Sequence, residues 1–312
     1  MGTQLGIIIP FFAIVALGFF GVRRRVLPEG GIDGLIAFCF YFALPAMLFD
    51  GVRAAPLSEL LDARISLVYL VGGLALLPVA ALTCRWVFRV RSSDAVFFGF
   101  GAVHGNVGFM GLPMMVALFG DAALAPAAVV VLVDLLVIYT IVFVAADLLG
   151  DRPHGLAALV RTVGGSLVRN PFLIAIALGI AAGAFGVTLP GAVERVVKLL
   201  AQSAAPIALF ALGASLAMHG MGRGQPGPLA FFLVTKLAIH PLLIWLIATH
   251  FVPLPELQLK VAVAQAALPI AVNLFLLGSR YVKDVGTLSE AILLTTAAGP
   301  VTLAFWLWLL GA

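Results

Sequence analysis

Asn106 makes the sharpest chemical demand in this sequence, because it stands in His104-Gly105-Asn106-Val107-Gly108 inside an otherwise apolar stretch. An amide at mid-bilayer depth needs partners. The surrounding Gly99, Gly101, Gly105, Gly108, Gly111 and Pro113 weaken a helix that must satisfy its own hydrogen bonds in lipid. Close helix packing explains Gly99 and Gly101; the run from Gly105 to Gly108 points to unwound backbone lining a cavity. A second interrupted stretch reads Gln265-Ala-Ala-Leu268-Pro269-Ile-Ala-Val-Asn273, with an amide on either side of the proline. Two broken helices that cross would aim half-helix N-termini at one volume, each with free N–H groups and about half a positive charge. That suits an anionic group such as a carboxylate. The candidate substrate-binding residues are therefore Asn106, Gly105, Gly108, Pro269, Gln265, Asn273 and His104. His104 either donates to the anion or titrates, or it satisfies a carbonyl of the broken helix.

Asp134, in Val131-Leu-Val-Asp134-Leu-Leu-Val, is the carboxylate nearest the centre of an apolar run. Intramembrane acids mark cavities and proton or ion paths, so Asp134 is the candidate for proton coupling; a neutral or salt-bridged structural acid is the alternative. Asp50 and Asp147 fall at run ends and read as interfacial. Lys236 and His240 share one helix face. Lys236 is read as snorkelling to the cytoplasmic surface, and His240 as either packing or functional. Thr295 and Thr296 either line the site or bond their own helix. Cys39 and Cys84 have no metal-ligand spacing and read as packing, and no cofactor is expected.

These groups sit on 312 residues that are 63% hydrophobic and 10% charged, against roughly 25% charged in soluble domains. The chain is expected to be an all-α integral membrane protein. At roughly 20–25 residues per span it has room for about ten transmembrane helices, near 4–22, 31–50, 64–88, 94–119, 122–149, 167–187, 191–219, 228–252, 257–279 and 285–311. The first apolar run precedes Arg23-Arg24-Arg25, the reverse of a signal peptide, and reads as a retained span. With the N-terminus outside, the inner loops collect Arg23, Arg24, Arg25, Arg85, Arg89, Arg91, Arg152, Arg161, Arg169, Arg223, Arg280 and Lys283. The outer side keeps only Arg53, Arg64, Arg195, Lys198 and Lys260. The positive-inside rule then puts both termini outside the cytoplasm. The basic balance fits loops facing lipid headgroups, with no case for nucleic acid.

The two parts of the chain echo each other in order. Pro45-Ala-Met-Leu48-Phe49 in the second span matches Pro206-Ile-Ala-Leu209-Phe210 in the seventh. Pro78 in the third matches Pro241 in the eighth, and the fourth and ninth are both interrupted. Aligned breakers at nearly one offset indicate two inverted five-helix repeats, 1–150 and 151–312, with helices 4 and 9 each broken near the middle. Paired interrupted helices in inverted repeats mark secondary transporters.

Gly105-Asn106-Val107-Gly108-Phe-Met-Gly111-Leu-Pro113 in a fourth span, with Leu268-Pro269 as its counterpart, resembles the auxin efflux carrier family of membrane transport proteins, related in fold to bile acid/sodium symporter-like carriers. The resemblance covers essentially the whole chain. It implies that helices 4 and 9 cross at mid-membrane, with a mobile transport unit of spans 3–5 and 8–10, a scaffold of spans 1, 2, 6 and 7, elevator-like movement, and a homodimer formed through the scaffold. Plant exporters of this family carry proline directly before the crossover asparagine, where this chain has Gly105. They also often have a long central loop, which here is only about Gly150 to Val168. Both departures count against auxin as the cargo.

The function expected is that of a secondary carrier of a small organic anion, with a carboxylate as the favoured class, in a bacterial-type inner membrane. Coupling runs through protons at Asp134 or through Na⁺ at unwound carbonyls, or is absent. Protons or uniport are preferred, because no acidic cluster suits Na⁺, although carriers of related fold use it. An intramembrane enzyme would need a nucleophile–base pair or a metal cluster, and no His-x-x-x-His, paired-Asp or Gly-x-Ser-x-Gly pattern occurs. A non-transporting sensor is the remaining alternative.

Overall fold

The computed structural model describes residues 2–26, 28–149, 164, 165, 167–219, 224–278, 282 and 284–311. Most of the central connection and Arg152, Arg161, Arg223, Arg280 and Lys283 lie outside the described residues. The chain is helical throughout the described part: α1 (Gly2–Arg23), α2 (Gly30–Ala54), α3 (Ala63–Trp86), α4 (Ser92–Val103), α5 (Val107–Phe119), α6 (Asp121–Ala145), α7 (Pro171–Ala184), α8 (Gly191–His219), α9 (Pro226–Phe251), α10 (Glu256–Ala266), α11 (Asn273–Gly278) and α12 (Val285–Leu309). Seven of these, α1, α2, α3, α6, α8, α9 and α12, are long and apolar enough to cross a membrane. The expected fourth and ninth spans are each split, into α4 and α5 and into α10 and α11.

Packing divides the helices into two groups. In the first, α1 lies along α8, and α2 packs against both α7 and α8. The α1–α8 approach is backbone to backbone: a side chain at Gly18 would run into the Phe210 carbonyl, and one at Gly213 into that of Val15. Without water to drive apolar association, such close small-residue contacts hold membrane helices together. In the second group α3 packs on α4, α6 and α9, while α10 packs on α6, α9 and α12. Gly99 serves the same purpose there, since a Cβ on it would lie 2.7 Å from the Leu77 carbonyl oxygen of α3.

Prolines inside the helices have local consequences. Pro241 has no N–H to give to the Leu237 carbonyl one turn earlier, and α9 widens into a π turn over Thr235–Ile239. The freed Leu237 oxygen is taken by Trp306 of α12, whose Nε1 donates to it at 2.9 Å. A lipid-buried carbonyl is thus satisfied by a neighbouring helix, and α9 is fastened to α12.

Candidate functional site

The two breaks meet. Gly105 and Ile270 form an isolated antiparallel bridge, in which the Asn106 amide donates to the Pro269 carbonyl at 2.9 Å. His104 is already extended, at φ −82 and ψ 107, so α4 ends there and its last turn cannot continue. Gly105 permits the approach, because a Cβ there would lie 3.1 Å from Lys236 Nζ and 3.2 Å from the Gln265 carbonyl oxygen. Pro269 leaves no N–H to be orphaned. The next amide, of Ile270, donates to Thr295 Oγ1 at 3.2 Å, and that hydroxyl in turn donates to the Ala291 carbonyl at 2.8 Å. Thr295 therefore supports the crossing and bonds its own helix, while Thr296 only returns its hydroxyl to the Ile292 carbonyl.

On one side of the crossing three helices, α4, α6 and α11, bring polar side chains together. His104 Nδ1 lies 2.8 Å from Asp134 Oδ2, and both side chains are almost wholly buried. The contact is an ion-pair approach lying off the hydrogen-bond direction of that ring nitrogen. The other nitrogen, Nε2, is 3.1 Å from Asn273 Oδ1 and 3.2 Å from the Tyr139 hydroxyl, and Asn273 Nδ2 donates to the same hydroxyl. The imidazole is stacked on Phe100, with centroids 4.4 Å apart at 17°, and Tyr139 stands edge-on to it. A buried carboxylate, an imidazole, a phenol and an amide in one chain of contacts can hold or pass a proton. Asp134 and Tyr139 face the same way because α6 makes a π turn over Asp134–Ile138, where the Tyr139 amide bonds the Asp134 carbonyl. Such a turn aligns residues five apart.

On the other side lies Lys236. The sequence reading took it to the membrane surface; in the structure it is fully buried. Its Nζ donates to the Ala266 carbonyl at 2.6 Å and contacts His240 Nδ1 at 3.2 Å. Snorkelling fails because α9 turns this face inward, onto the end of α10. His240 Nε2 has no partner, and its ring meets Tyr69 edge-on at 5.7 Å.

Two small cavities, of about 80 and 60 Å³, open at the crossing and share Asn106, Phe109 and Asn273 as walls. The smaller is also lined by His104, Gly105, Gly108, Asp134, Tyr139 and Asn170. The structure therefore gathers Asn106, Gly105, Gly108, Asn273, His104 and Asp134 around one volume. Pro269 contributes its carbonyl to the bridge and lines neither cavity. Gln265 turns away: it is buried, with Nε2 3.4 Å from the Ala127 carbonyl of α6, and its Oε1 has no partner. A larger cavity, about 470 Å³, lies elsewhere, between the α1–α2–α8 group and α5–α6, with Asp50, Asp121, Lys198 and Gln202 in its wall. Sequence reasoning passed over Tyr139 and Asn170. Asn170 carried a signal, since an Asn-Pro pair opening an apolar run caps a helix, and it does accept from the Phe172 and Leu173 amides.

A broken-helix crossing with buried ionisable groups beside it is an arrangement typical of carriers. The chain matches the family described as Membrane transport protein over residues 5–307. The chain belongs to that family, as the Gly105–Pro113 motif indicated. Named relatives align along nearly the whole chain. A Rhizobium meliloti (strain 1021) protein named "Putative malonate transporter" is 28% identical over 99% of this chain and 97% of its own. The Escherichia coli (strain K12) "Uncharacterized transporter YfdV" is 25% identical over 97% and 96%. The Methanocaldococcus jannaschii "Uncharacterized transporter MJ1031" is 22% identical over 98% of each. This family member is a multi-pass membrane transporter and not an enzyme.

Proposed function

We propose that this protein is a secondary carrier of a small carboxylate, with a three-carbon dicarboxylate as the first candidate, and that it moves a proton with its cargo. The observation that carries the reading is the His104–Asp134 pair set against Asn106 and Asn273 in the wall of the crossing cavities. The amides and the N–H groups at the start of α5 face an anion, where the positive end of the helix dipole favours it. An extra proton on the pair offsets the negative charge brought by the substrate, so anion and proton load together. Cavities of about 80 and 60 Å³ suit a few heavy atoms. The name of the Rhizobium relative supports a dicarboxylate.

In this reading ten spans form two inverted five-helix halves, 1–150 and 151–312, in a bacterial inner membrane with both termini outside. The division of packing into an α1–α2–α7–α8 group and a second group that carries the crossing supports a scaffold, paired with a second copy, against which a transport unit slides. The 470 Å³ cavity lies between the two groups, where such sliding would open a path.

The test is uptake of labelled malonate into proteoliposomes with pH and Na⁺ gradients imposed separately. Accumulation driven by an inward proton gradient in Na⁺-free medium is expected. No flux of malonate or any other carboxylate under either gradient would sink the reading.

A further inference from the structure

The carboxylate site leaves the opposite side of the crossing unexplained. There a lysine with no exposed surface makes no ion pair with any described acid. Its Nζ meets the Ala266 carbonyl at 2.6 Å and His240 Nδ1 at 3.2 Å, and it borders Gly105 together with the Gln265 carbonyl. Ala266 is the last residue of α10. Its carbonyl is one of the unpaired oxygens at a helix C-terminus, the negative end of the dipole. Burying an ammonium is costly unless it is matched by partners, so this lysine needs a reason to be here rather than at the surface. Carbonyls exposed at unwound helix ends are what carriers use to hold a cation, and an ammonium on a four-carbon stem has the charge and the donors to answer the same oxygens. The groups facing it are His240 on its own helix and Tyr69 of α3 behind that ring.

We propose that Lys236 is a tethered counter-cation: its ammonium takes the place at the carbonyl end of α10 that a free metal cation would otherwise take, and so makes the transport cycle independent of Na⁺. The inference rests on the carrier reading above for its transport arm alone. The tethered charge travels with the second helix group, so the crossing keeps a positive charge whether or not an anion is bound. Lys236→Ala empties that place and leaves the Ala266 oxygen and the His240 nitrogen facing a hole the size of a short alkylammonium.

The experiment compares thermal unfolding of the purified wild type and Lys236→Ala in NaCl, KCl, ethylammonium chloride and choline chloride at equal ionic strength. Malonate uptake is measured in the same salts. The wild type is expected to unfold at one temperature in all four. Lys236→Ala should be stabilised by Na⁺ or ethylammonium over choline, and should take up malonate only when one of those cations is present. Preferential stabilisation of the wild type by Na⁺ would overturn the proposal. So would a Lys236→Ala protein that is indifferent to the salt, or one that transports at the wild-type rate in choline. If Lys236→Ala yields no folded protein, Lys236→Gln decides: it fills the hole without charge and should be inactive in every salt, and wild-type uptake from it refutes the idea. The thermal arm needs no substrate. A wild type that moves no carboxylate therefore defeats the carrier reading and leaves this one to the salts.

Discussion

Asp134→Asn separates the proton from the cargo. The carboxylate oxygen is 2.8 Å from His104 Nδ1, and at an effective dielectric of about 20 the attraction between unit charges at that distance is about 6 kcal/mol. Asparagine leaves an uncharged oxygen in the same place, which returns at most about 1 kcal/mol, the scale of a neutral polar contact. The net loss then falls in the range of about 3–5 kcal/mol measured when a buried pair loses one partner. At 1.36 kcal/mol per factor of ten, a loss of that size corresponds to roughly a hundred-fold to a few thousand-fold in any step that depends on the pair. The assay uses proteoliposomes in Na⁺-free buffer. Accumulation of labelled malonate driven by a pH gradient should fall at least about a hundred-fold. Exchange of labelled for unlabelled malonate at equal pH, which needs no net proton movement, should persist. A variant that accumulates malonate with the wild-type dependence on pH would refute the reasoning and return Asp134 to a structural role.

Asn106→Ala should reduce uptake by at least tenfold while shifting stability by less than about 1 kcal/mol. The bond to Pro269 comes from the backbone amide, which alanine keeps; wild-type flux from this variant would remove Asn106 from the site. Trp306→Phe strands the Leu237 carbonyl and should cost about 1–3 kcal/mol, read as a lower melting temperature with an unchanged KM for malonate. Gly213→Val forces α1 and α8 apart at the Val15 carbonyl. An overpacking cost of about 1–3 kcal/mol should appear in thermal unfolding, and a variant as stable as the wild type would deny the close contact.

The breaks themselves were legible in the sequence because glycine and proline act locally. Gly105 and Pro269 weaken the helix at the positions where they stand, and their pairing in space follows from their matched places in the chain. Tyr139 was hidden because helical periodicity assumes 3.6 residues per turn, and the π turn at Asp134–Ile138 rotates it onto the acid's face. Lys236 was misplaced for a different reason. A long flexible cation reads as snorkelling unless the helices enclosing it are known, and the end of α10 that receives it is 30 residues further along the chain. Gln265 was drawn into the site by its symmetry with Asn273 about the proline. The side chain instead follows the α10 helical face toward Ala127. Sequence spacing located the crossing, but which side chains look into it depends on helix phase.

The bridge between Gly105 and Ile270 also sets an order of assembly. The Asn106 amide waits for Pro269, and the Ile270 amide waits for Thr295, so neither break can satisfy its backbone from residues already made. While the ribosome works through the intervening chain, the nascent N-terminal helices hold an open polar gap at a depth where water is scarce. The site is closed only when α12 is made. A chain cut shortly before Thr295 would have no finished crossing, and the membrane's quality-control proteases would meet a defect that lies at the crossing and not at the cut end.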